Sequence, residues 1–420
     1  MNSNSADRSR RRPRRGTSSS HSRKPHGHSA PHQASSASAH AAPALEPFPV
    51  ETAPLPFATL GLDPRLLEGI KDLGFSETRP IQSAVITLSL AGADLIACAE
   101  TGSGKTCAFV VPMLQRMLRE TGGHESKSRV LVLAPTRELA VQIEDEIHGL
   151  SYHTTLTSAA VYGGVEMGGQ ERALKAGVDI IVATPGRLID HMRQQNADLS
   201  AVELLVLDEA DRMMDMGFWP DVRRIISALP GTRQTLLFSA TMPDDVVRSA
   251  LEIVKEPKFV QVGQRSAAAK TITHSKHEVP SGRKADWLID HLKKPEGPVL
   301  IFSRTKIGAD KLARKLQSAG IRCVALHADR TMDQRRQAVE GFRGGKYKVL
   351  VATDIAARGL DIDGIHTVIN YEVPDSPDTY VHRVGRTGRS GEAGNAITLV
   401  SPDEHRALAQ LEKIVGVHLQ

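Results

Sequence analysis

The chain has 420 residues, enough for two or three domains that each bury a proper core. Its composition is ordinary for a globular protein, and no apolar stretch approaches the length of a membrane span, so we expect no membrane partner. Cys98, Cys107 and Cys323 show no spacing typical of a zinc site or a disulfide framework. We therefore expect buried thiols, a reducing compartment and a cytoplasmic location.

The excess positive charge is concentrated at the N-terminus. Residues 1–56 hold eight of the 53 basic and three of the 48 acidic side chains, and subtraction leaves 45 of each for residues 57–420. The same segment is rich in Ser, Ala, His and Pro and lacks apolar periodicity, which predicts a disordered basic tail over residues 1–56. The tail is expected either to attract polyanions non-specifically or to be solvated without a role.

From Phe57 onward, short apolar runs alternate with helix-length segments. The runs cover residues 94–99, 130–134, 180–183, 204–207 and 235–238, and then residues 299–302, 323–326, 348–352, 367–370 and 396–400. Strands that are buried on both faces and separated by helices predict α/β domains with parallel sheets. A polar stretch near residues 263–270 resembles a linker, so we expect one domain over residues 57–264 and a second over residues 265–420.

A glycine-rich loop follows the first apolar run and precedes a helix-like segment. In it, Gly102 and Gly104 permit a tight turn whose N–H groups cradle phosphates at a helix N-terminus. Lys105 is placed to reach the β- and γ-phosphates, and Thr106 to ligate Mg²⁺. The Gly-Gly-Lys sequence at residues 344–346 lacks this context and predicts only a turn that ends a helix.

Two carboxylates stand at the end of the buried run over residues 204–207. Asp208 is suited to hold Mg²⁺ through water, and Glu209 to orient and deprotonate an attacking water. Acidic residues also begin helices for dipole reasons alone, but the phosphate loop favours a catalytic role here.

With both motifs in place, residues 208–211 read Asp-Glu-Ala-Asp, and the chain from about Phe57 to its end resembles the DEAD-box family of ATP-dependent RNA helicases. The resemblance implies two tandem RecA-like domains that close on ATP and RNA. The segment from Gly74 to Gln82 resembles the adenine-sensing Q motif, with Phe57 as its upstream aromatic residue. Gln82 would then bind the adenine edge while Phe57 or Phe75 packs near the base. The phosphate loop of the family matches Ala99, Glu100, Thr101, Gly102, Ser103, Gly104, Lys105 and Thr106.

The resemblance also assigns RNA contacts and residues that couple the two halves. The RNA-contacting positions of the first domain match Pro135, Thr136, Arg137, Gly163, Gly164, Thr184, Pro185, Gly186 and Arg187. Thr136 and Thr184 also look like helix N-caps, and Pro185 suits a first helical turn. The RNA contacts of the second domain match Arg304, Arg335, Thr353, Arg358 and Gly359. Ser239 and Thr241, together with His382 and Arg383, would link hydrolysis to strand separation. Asp361 would contact the ribose, while Arg386 and Arg389 would act as arginine fingers on the γ-phosphate.

Within the family the chain looks most like the bacterial RhlE-like type. It departs from the usual motifs at five positions: Thr78 and Arg79 replace Pro-Thr in the Q motif, Glu100 replaces a Gln, Ala328 replaces a Gly, and Met332 replaces a Gln. None of these residues is needed for hydrolysis.

The function expected from these matches is an RNA-dependent ATPase that unwinds or remodels short duplexes when its two domains close. Nine Phe, two Trp and five Tyr are too few for rows of base-stacking platforms, so sequence-independent contacts to the RNA backbone are expected. We expect a monomer. An ATP-gated RNA clamp or scaffold with slow turnover is the alternative. A DNA-translocating helicase is disfavoured by the Q motif and by residues 208–211.

Overall fold

The structure is a computed structural model that describes residues 45–100, 102–119, 127–263, 272–293, 297–357, 364–388, 393–415 and 419. The basic stretch 1–44 and the expected domain boundary at residue 264 lie outside these ranges. Within the described ranges the strands form two separate sheets, and every strand pair in both is parallel. Two α/β units with parallel sheets were predicted, and this prediction is confirmed.

The first sheet has seven strands among the residues described, in the order β3-β4-β2-β5-β6-β1-β7. The strands are β1 (Leu95–Ala99), β2 (Val130–Leu133), β3 (Ser158–Val161), β4 (Ile180–Ala183), β5 (Leu204–Leu207), β6 (Gln234–Ser239) and β7 (Lys258–Val262). The helices of this half are α1 (Pro64–Asp72), α2 (Pro80–Leu90), α3 (Lys105–Arg119), α4 (Arg137–Leu150), α5 (Met167–Ala176), α6 (Pro185–Arg193), α7 (Ala210–Asp215), α8 (Trp219–Ser227) and α9 (Asp244–Leu251).

Alternate residues of these strands face two different helix layers. On β1, Leu95 and Ala97 join one apolar core with α1, α2, α3 and α4, whereas Ile96 and Cys98 join a second core with α6, α7, α8 and α9. Burial on both faces explains why the strands read as continuous apolar runs.

The second sheet has the order β10-β11-β9-β12-β13-β8 over the described part of the chain. Its strands are β8 (Ile272–Glu278), β9 (Val299–Phe302), β10 (Cys323–Leu326), β11 (Val349–Ala352), β12 (Thr367–Asn370) and β13 (Gly394–Val400). Its helices are α10 (Lys284–Leu292), α11 (Lys306–Ser318), α12 (Met332–Arg343), α13 (Asp354–Ala357), α14 (Pro377–Val384) and α15 (His405–Val415). As predicted, Gly344 and Gly345 end a helix, with φ +72° at Gly345.

Residues 45–56, which we call the N-terminal strap, are packed against the first sheet. The predicted disordered tail ended at Pro56, so the prediction is wrong for the strap. The backbone N–H of Phe48 donates to the Phe259 carbonyl of β7 at 2.7 Å, and Lys258 lies over the Phe48 ring. Val50 packs against the core formed with α1 to α4, and Leu45 packs against the core on the other face of the sheet. The strap has only scattered apolar residues, so its docking carries no periodic signal in the sequence.

The strap predicts different effects for two N-terminal deletions. Removing residues 1–56 loses several hydrogen bonds and apolar contacts, which we expect to cost about 2–4 kcal/mol. For a domain of this size that lowers Tm by about 5 °C or more. Removing residues 1–44 is the matched control and should leave Tm unchanged. Equal Tm values for the two truncated proteins in thermal unfolding would show that the strap contributes no stability.

Candidate active site

Three strand ends meet at one edge of the first sheet. The sheet order places β5, β6 and β1 side by side, and their carboxyl ends lead into Asp208, Ala240 and the phosphate loop at residues 99–106. Ligands of open parallel sheets bind outside the carboxyl ends of the strands. This edge is therefore the candidate active site.

The phosphate loop is shaped by two left-handed glycines. Gly102 and Gly104 have φ values of +81° and +93°, which side-chain-bearing residues rarely adopt. The Lys105 ammonium donates to the carbonyls of Ala99 and Glu100 at 2.6 and 2.9 Å. The buried Ser103 hydroxyl has no hydrogen-bond partner among the described residues. Free donors in a loop that begins α3 are suited to an incoming phosphate.

The Q segment contacts the phosphate loop from outside. Gln82 is buried, accepts from the Arg79 N–H at 2.8 Å and donates to the Gly104 carbonyl at 3.2 Å. Its two expected aromatic partners differ in exposure: Phe57 is 2% exposed and lies in the core, whereas Phe75 is 39% exposed. Of the two rings, Phe75 is therefore the one with surface that a base could cover.

The two neighbouring carboxylates at the end of β5, Asp208 and Glu209, have pKa values shifted in opposite directions. Burial raises the pKa of Asp208 to about 7, the charge of Glu209 adds to the rise, and Lys105 opposes it. Burial also acts to raise the pKa of Glu209, but Arg212, then Arg386 and Lys105, outweigh it and leave the pKa lowered. Glu209 is thus held ionised, which a residue that accepts a proton from water requires.

Backbone geometry fixes the direction of the Glu209 side chain. Its φ of +54° and ψ of +53° are left-handed, a conformation that costs a residue with a side chain about 1–2 kcal/mol. The Arg212 guanidinium donates to the Glu209 carboxylate at 2.7 Å. Strained backbone held by a buried ion pair is common at functional sites. The motif search missed Arg212, although its i+3 spacing on α7 from Glu209 could have indicated it.

The donor set fits a magnesium ion that arrives with a nucleotide. Asp208 is 3% exposed, lies beside the carboxylates of Glu209 and Asp211, and has a raised pKa that a nearby cation would reverse. Thr106 is half-buried in the first turn of α3. The part of the chain that is described contains no group of three or more His, Cys, Asp or Glu that could hold a metal. Mg²⁺ usually keeps several waters and shares ligands with phosphates, so it needs few protein ligands.

The Asp211 carboxylate connects the ends of β5 and β6. It accepts from the backbone N–H and the hydroxyl of Thr241 at 2.9 and 2.8 Å, and from the Ala240 N–H at 3.2 Å. The Ser239 hydroxyl accepts from the Asp211 N–H and donates to the Thr241 carbonyl. His382 of α14 lies across the cleft, 3.9 Å from the same carboxylate. The four predicted coupling residues include Ser239, Thr241 and His382, which this network brings together.

The fourth coupling residue, Arg383, lies inside the second half instead. It makes two bonds to the Asp354 carboxylate at 2.6 and 2.8 Å and a third to Asn370 at 3.1 Å. Its guanidinium also stacks over the Phe302 ring. Arg383 is 3% exposed, so it fixes α14 against α13 and β12 and thereby orients its neighbours His382 and Arg386.

Basic and backbone groups from three segments meet beside this edge of the first sheet, and we call the surface that they form the groove. The Arg137 side chain lies against Gly164 so closely that any side chain at Gly164 would collide with it. Arg187 donates to the Val165 carbonyl at 3.0 Å and to Gln170 at 3.2 Å. The three predicted segments after β2, β3 and β4 therefore do meet in one place.

The helix caps in this groove agree with the sequence in part. Thr136 and Pro135 are buried, and the Thr136 hydroxyl accepts from the Leu139 N–H at 3.3 Å, as expected for an N-cap. Thr184 occupies the N-cap position of α6 but makes no capping hydrogen bond, and Pro185 begins the helix. Gly186 follows it in the first turn.

Arg335 of the second half contacts the first half beside this groove. Arg335 of α12 pairs with Glu138 of α4 at 3.0 Å. Burial lowers the pKa of Arg335, Glu138 opposes this, and the charge of Arg137 lowers it further. Arg304 donates to the Val373 carbonyl and pairs with Asp375 at 3.1 Å, and Thr353 is buried at the end of β11. The positive charges of Arg137 and Arg335 therefore lie close together at this point, which favours binding of an anion.

Several expected site residues lie outside the described residues. They are Thr101, Arg358, Gly359, Asp361 and Arg389.

The sequence and fold are similar to those of helicases. Residues 79–249 match the family model of the DEAD/DEAH box helicase, and residues 283–391 match that of the helicase conserved C-terminal domain. An ATP-dependent RNA helicase, CshA from Listeria monocytogenes, is 41% identical over 366 residues, which are 87% of this chain and 69% of CshA. CshA from Streptococcus pneumoniae is 42% identical over 85% of this chain and 68% of its own length.

Two solved structures match both halves at once. Dbp5 of S. cerevisiae, bound to RNA and ADP BeF3, is 32% identical with a TM-score of 0.78 over 87% of this chain and 95% of Dbp5. Mss116p bound to ssRNA and AMP-PNP is 28% identical with a TM-score of 0.81 over 90% of this chain and 81% of Mss116p. The matches confirm the predicted RecA-like fold. No helix among the described residues is both long and apolar enough to cross a membrane.

Proposed function

Because this chain belongs to the DEAD-box family of ATP-dependent RNA helicases, we propose that its ATPase centre lies in the cleft between the two sheets. The enzyme uses ATP to remodel RNA. The observation that carries the proposed site is the approach of α14 to the end of β5: His382 stands 3.9 Å from Asp211, and the charge of Arg386 lowers the pKa of Glu209. Each half therefore supplies groups that the other lacks.

The chemistry at this cleft is in-line attack of water on the γ-phosphoryl group of ATP. Lys105 and the N–H groups around Gly102 and Gly104 bind the phosphates. Glu209, held ionised, orients the water and accepts its proton. Arg386 stabilises the charge that spreads over the γ-oxygens, and Arg389 is expected to share this role. The left-handed Glu209 and its pairing with Arg212 support this assignment.

Mg²⁺ is the expected companion of ATP, with Thr106 and Asp208 as the residues that would hold it, Asp208 through water. The ion would neutralise charge on the β- and γ-phosphates. On the base side, Gln82 is assigned to the adenine edge and Phe75 to its face, since the Phe57 ring is enclosed in the core. Asp361 remains the expected ribose contact.

RNA would cross both halves along the groove. We propose that Arg137, Gly164 and Arg187 line it on the first half, and Arg304, Arg335 and Thr353 on the second; the contacts of Arg137, Arg187 and Arg335 support this. Backbone amides and arginines recognise phosphates without reading bases, so binding is expected to be indifferent to sequence. The match to Dbp5 and Mss116p structures that hold RNA and a nucleotide supports a closed cleft as the state described here.

Narrower assignments stay predictions. The RhlE-like type was expected, whereas the relatives described above are CshA helicases, which supports the family and not this subtype. Monomeric state and cytoplasmic location are proposed from the sequence alone.

The ATPase rate with RNA, with DNA of the same sequence and with neither tests the proposed function. We expect strong stimulation by RNA and little by DNA, because a groove that follows the backbone can read the 2′-OH. A rate that stays high without RNA, or rises equally with DNA, would contradict it. A low rate combined with a long-lived complex of ATP and RNA would favour the clamp.

Lys105→Ala and Glu209→Gln should separate binding from turnover. Loss of Lys105 removes a phosphate partner, so ATP affinity should fall. Glu209→Gln keeps the shape but removes the base, so ATP and RNA should stay bound while turnover falls by about 10²-fold or more. Glu252→Gln, an isosteric change in an exposed ion pair with Arg223, is the control. Wild-type turnover in Glu209→Gln would show that the base is another group.

Arg386→Ala should lower turnover with little change in ATP affinity, because the guanidinium acts mainly on transition-state charge. Arginine fingers contribute roughly 10³–10⁵ in rate, and we expect about 10²–10³ here because Arg389 is expected to cover part of the role. Arg336→Ala, an exposed change on α12, is the control. A rise in KM for ATP at unchanged kcat would reassign Arg386 to ground-state binding.

A further inference from the structure

The Q segment of this chain carries Thr78 and Arg79 where the family usually has Pro-Thr. Both side chains are engaged. The Arg79 guanidinium donates to the Gly102 carbonyl of the phosphate loop at 3.0 Å. Its aliphatic part lies beside Gly104, so that a side-chain carbon at Gly104 would approach the Arg79 Cδ to 3.1 Å and the Gln82 amide to 2.6 Å. Arg79 thus covers the outer side of the loop at both of its left-handed glycines.

The phosphate loop is the part of the site that most needs an external contact to fix its conformation. Glycine loses more backbone freedom on ordering than any other residue. Holding a loop with two glycines in one conformation therefore has a high cost in conformational entropy. The carbonyl of Gly102 points to Arg79 on the outside. Because each peptide unit is planar, fixing that carbonyl also fixes the direction of the next N–H, which belongs to Ser103.

Arg79 is itself held at its base. Its backbone N–H donates to Gln82 at 2.8 Å, and α2 begins at the following residue. The preceding residue, Thr78, exchanges hydrogen bonds with Leu55 of the N-terminal strap: Thr78 N–H to the Leu55 carbonyl at 2.9 Å, and Leu55 N–H to the Thr78 hydroxyl at 2.8 Å. Ser83 adds bonds to the Thr78 hydroxyl and to the Ala53 carbonyl. A proline at position 78 could make neither Thr78 bond, because it has no N–H and no hydroxyl.

We propose that Arg79 is a positioning residue for ATP binding: its guanidinium holds the phosphate loop through the Gly102 carbonyl, and the strap fixes Arg79 through Thr78. The role is additional to that of Gln82, and it rests on the proposed nucleotide site. Arg79 acts on the pre-arrangement of the loop N–H groups for the β-phosphate. It does not touch the reacting atoms, so it changes nucleotide affinity and leaves the chemical step alone.

Arg79→Met keeps the aliphatic length and removes every donor. We expect the Kd of a fluorescent ADP derivative and the KM for ATP to rise about fivefold to tenfold, while kcat at saturating ATP and RNA stays within twofold of wild type. Arg79→Lys retains one donor that can reach the carbonyl, so it should recover at least half of the lost affinity on a logarithmic scale. Arg65→Met removes an exposed arginine paired with Asp63 on α1 and serves as the matched control.

Competition by AMP distinguishes an effect of Arg79 on phosphate binding from an effect on binding of the base. AMP carries the same base and ribose but lacks the β-phosphate, so its affinity should be unchanged in Arg79→Met. An equal loss for AMP and ADP would place Arg79 on the base and overturn the proposal, as would a Kd for ADP within twofold of wild type. The Lys105→Ala protein serves as the reference for the site itself. If it binds ADP like wild type, the proposed nucleotide site is wrong, whatever Arg79 does.

Discussion

The arrangement of the two halves at the candidate active site depends on the carboxylate of Asp211. It receives two hydrogen bonds from Thr241 and one from Ala240, and it faces His382 across the cleft. A buried carboxylate that takes three donors is held in one orientation, and so is the strand end that supplies them. His382 belongs to α14, so a movement of α14 relative to the first sheet would change the surroundings of Asp211. One carboxylate thereby links the end of β5, where the proposed base Glu209 lies, to the placement of the second half.

The two halves have similar folds but contribute different groups to the candidate active site. Both are parallel sheets with helices on each face, yet in the described residues only the first carries a phosphate loop, because the Gly344–Gly345 turn merely ends α12. The second contributes charge: Arg386 toward Glu209 and Arg335 toward Glu138. Separated halves would leave Glu209 without Arg386 and the groove without one wall. A site divided in this way makes closure a condition for hydrolysis, which is how ATP can be coupled to RNA.

Ten strands could be predicted because strands of a parallel sheet that are buried on both faces read as apolar runs, and the edge strand β10 is also largely buried. The three that were missed, β3, β7 and β8, all lie at sheet edges, where one side is exposed. β3 is made of small residues and β8 of polar ones, so neither shows an apolar run. The residues proposed for catalysis were named from motif spacing and from the resemblance to the family. The strap was not predicted, since hydrogen bonds between distant segments leave no periodic pattern in the sequence. Arg212 was overlooked although its i+3 spacing from Glu209 is a local signal.

The central claim is that one closed cleft binds both the nucleotide and RNA. It is tested by measuring the affinity for a short single-stranded RNA without nucleotide, with ADP and with ADP–beryllium fluoride. If a nucleotide closes the cleft, it raises the affinity for RNA by a certain factor. Thermodynamic linkage requires that RNA raise the affinity for that nucleotide by the same factor. The account predicts RNA binding at least tenfold tighter with ADP–beryllium fluoride than with ADP, and loss of this difference in Asp211→Asn. Equal RNA affinity in all three states of the wild-type enzyme would contradict it.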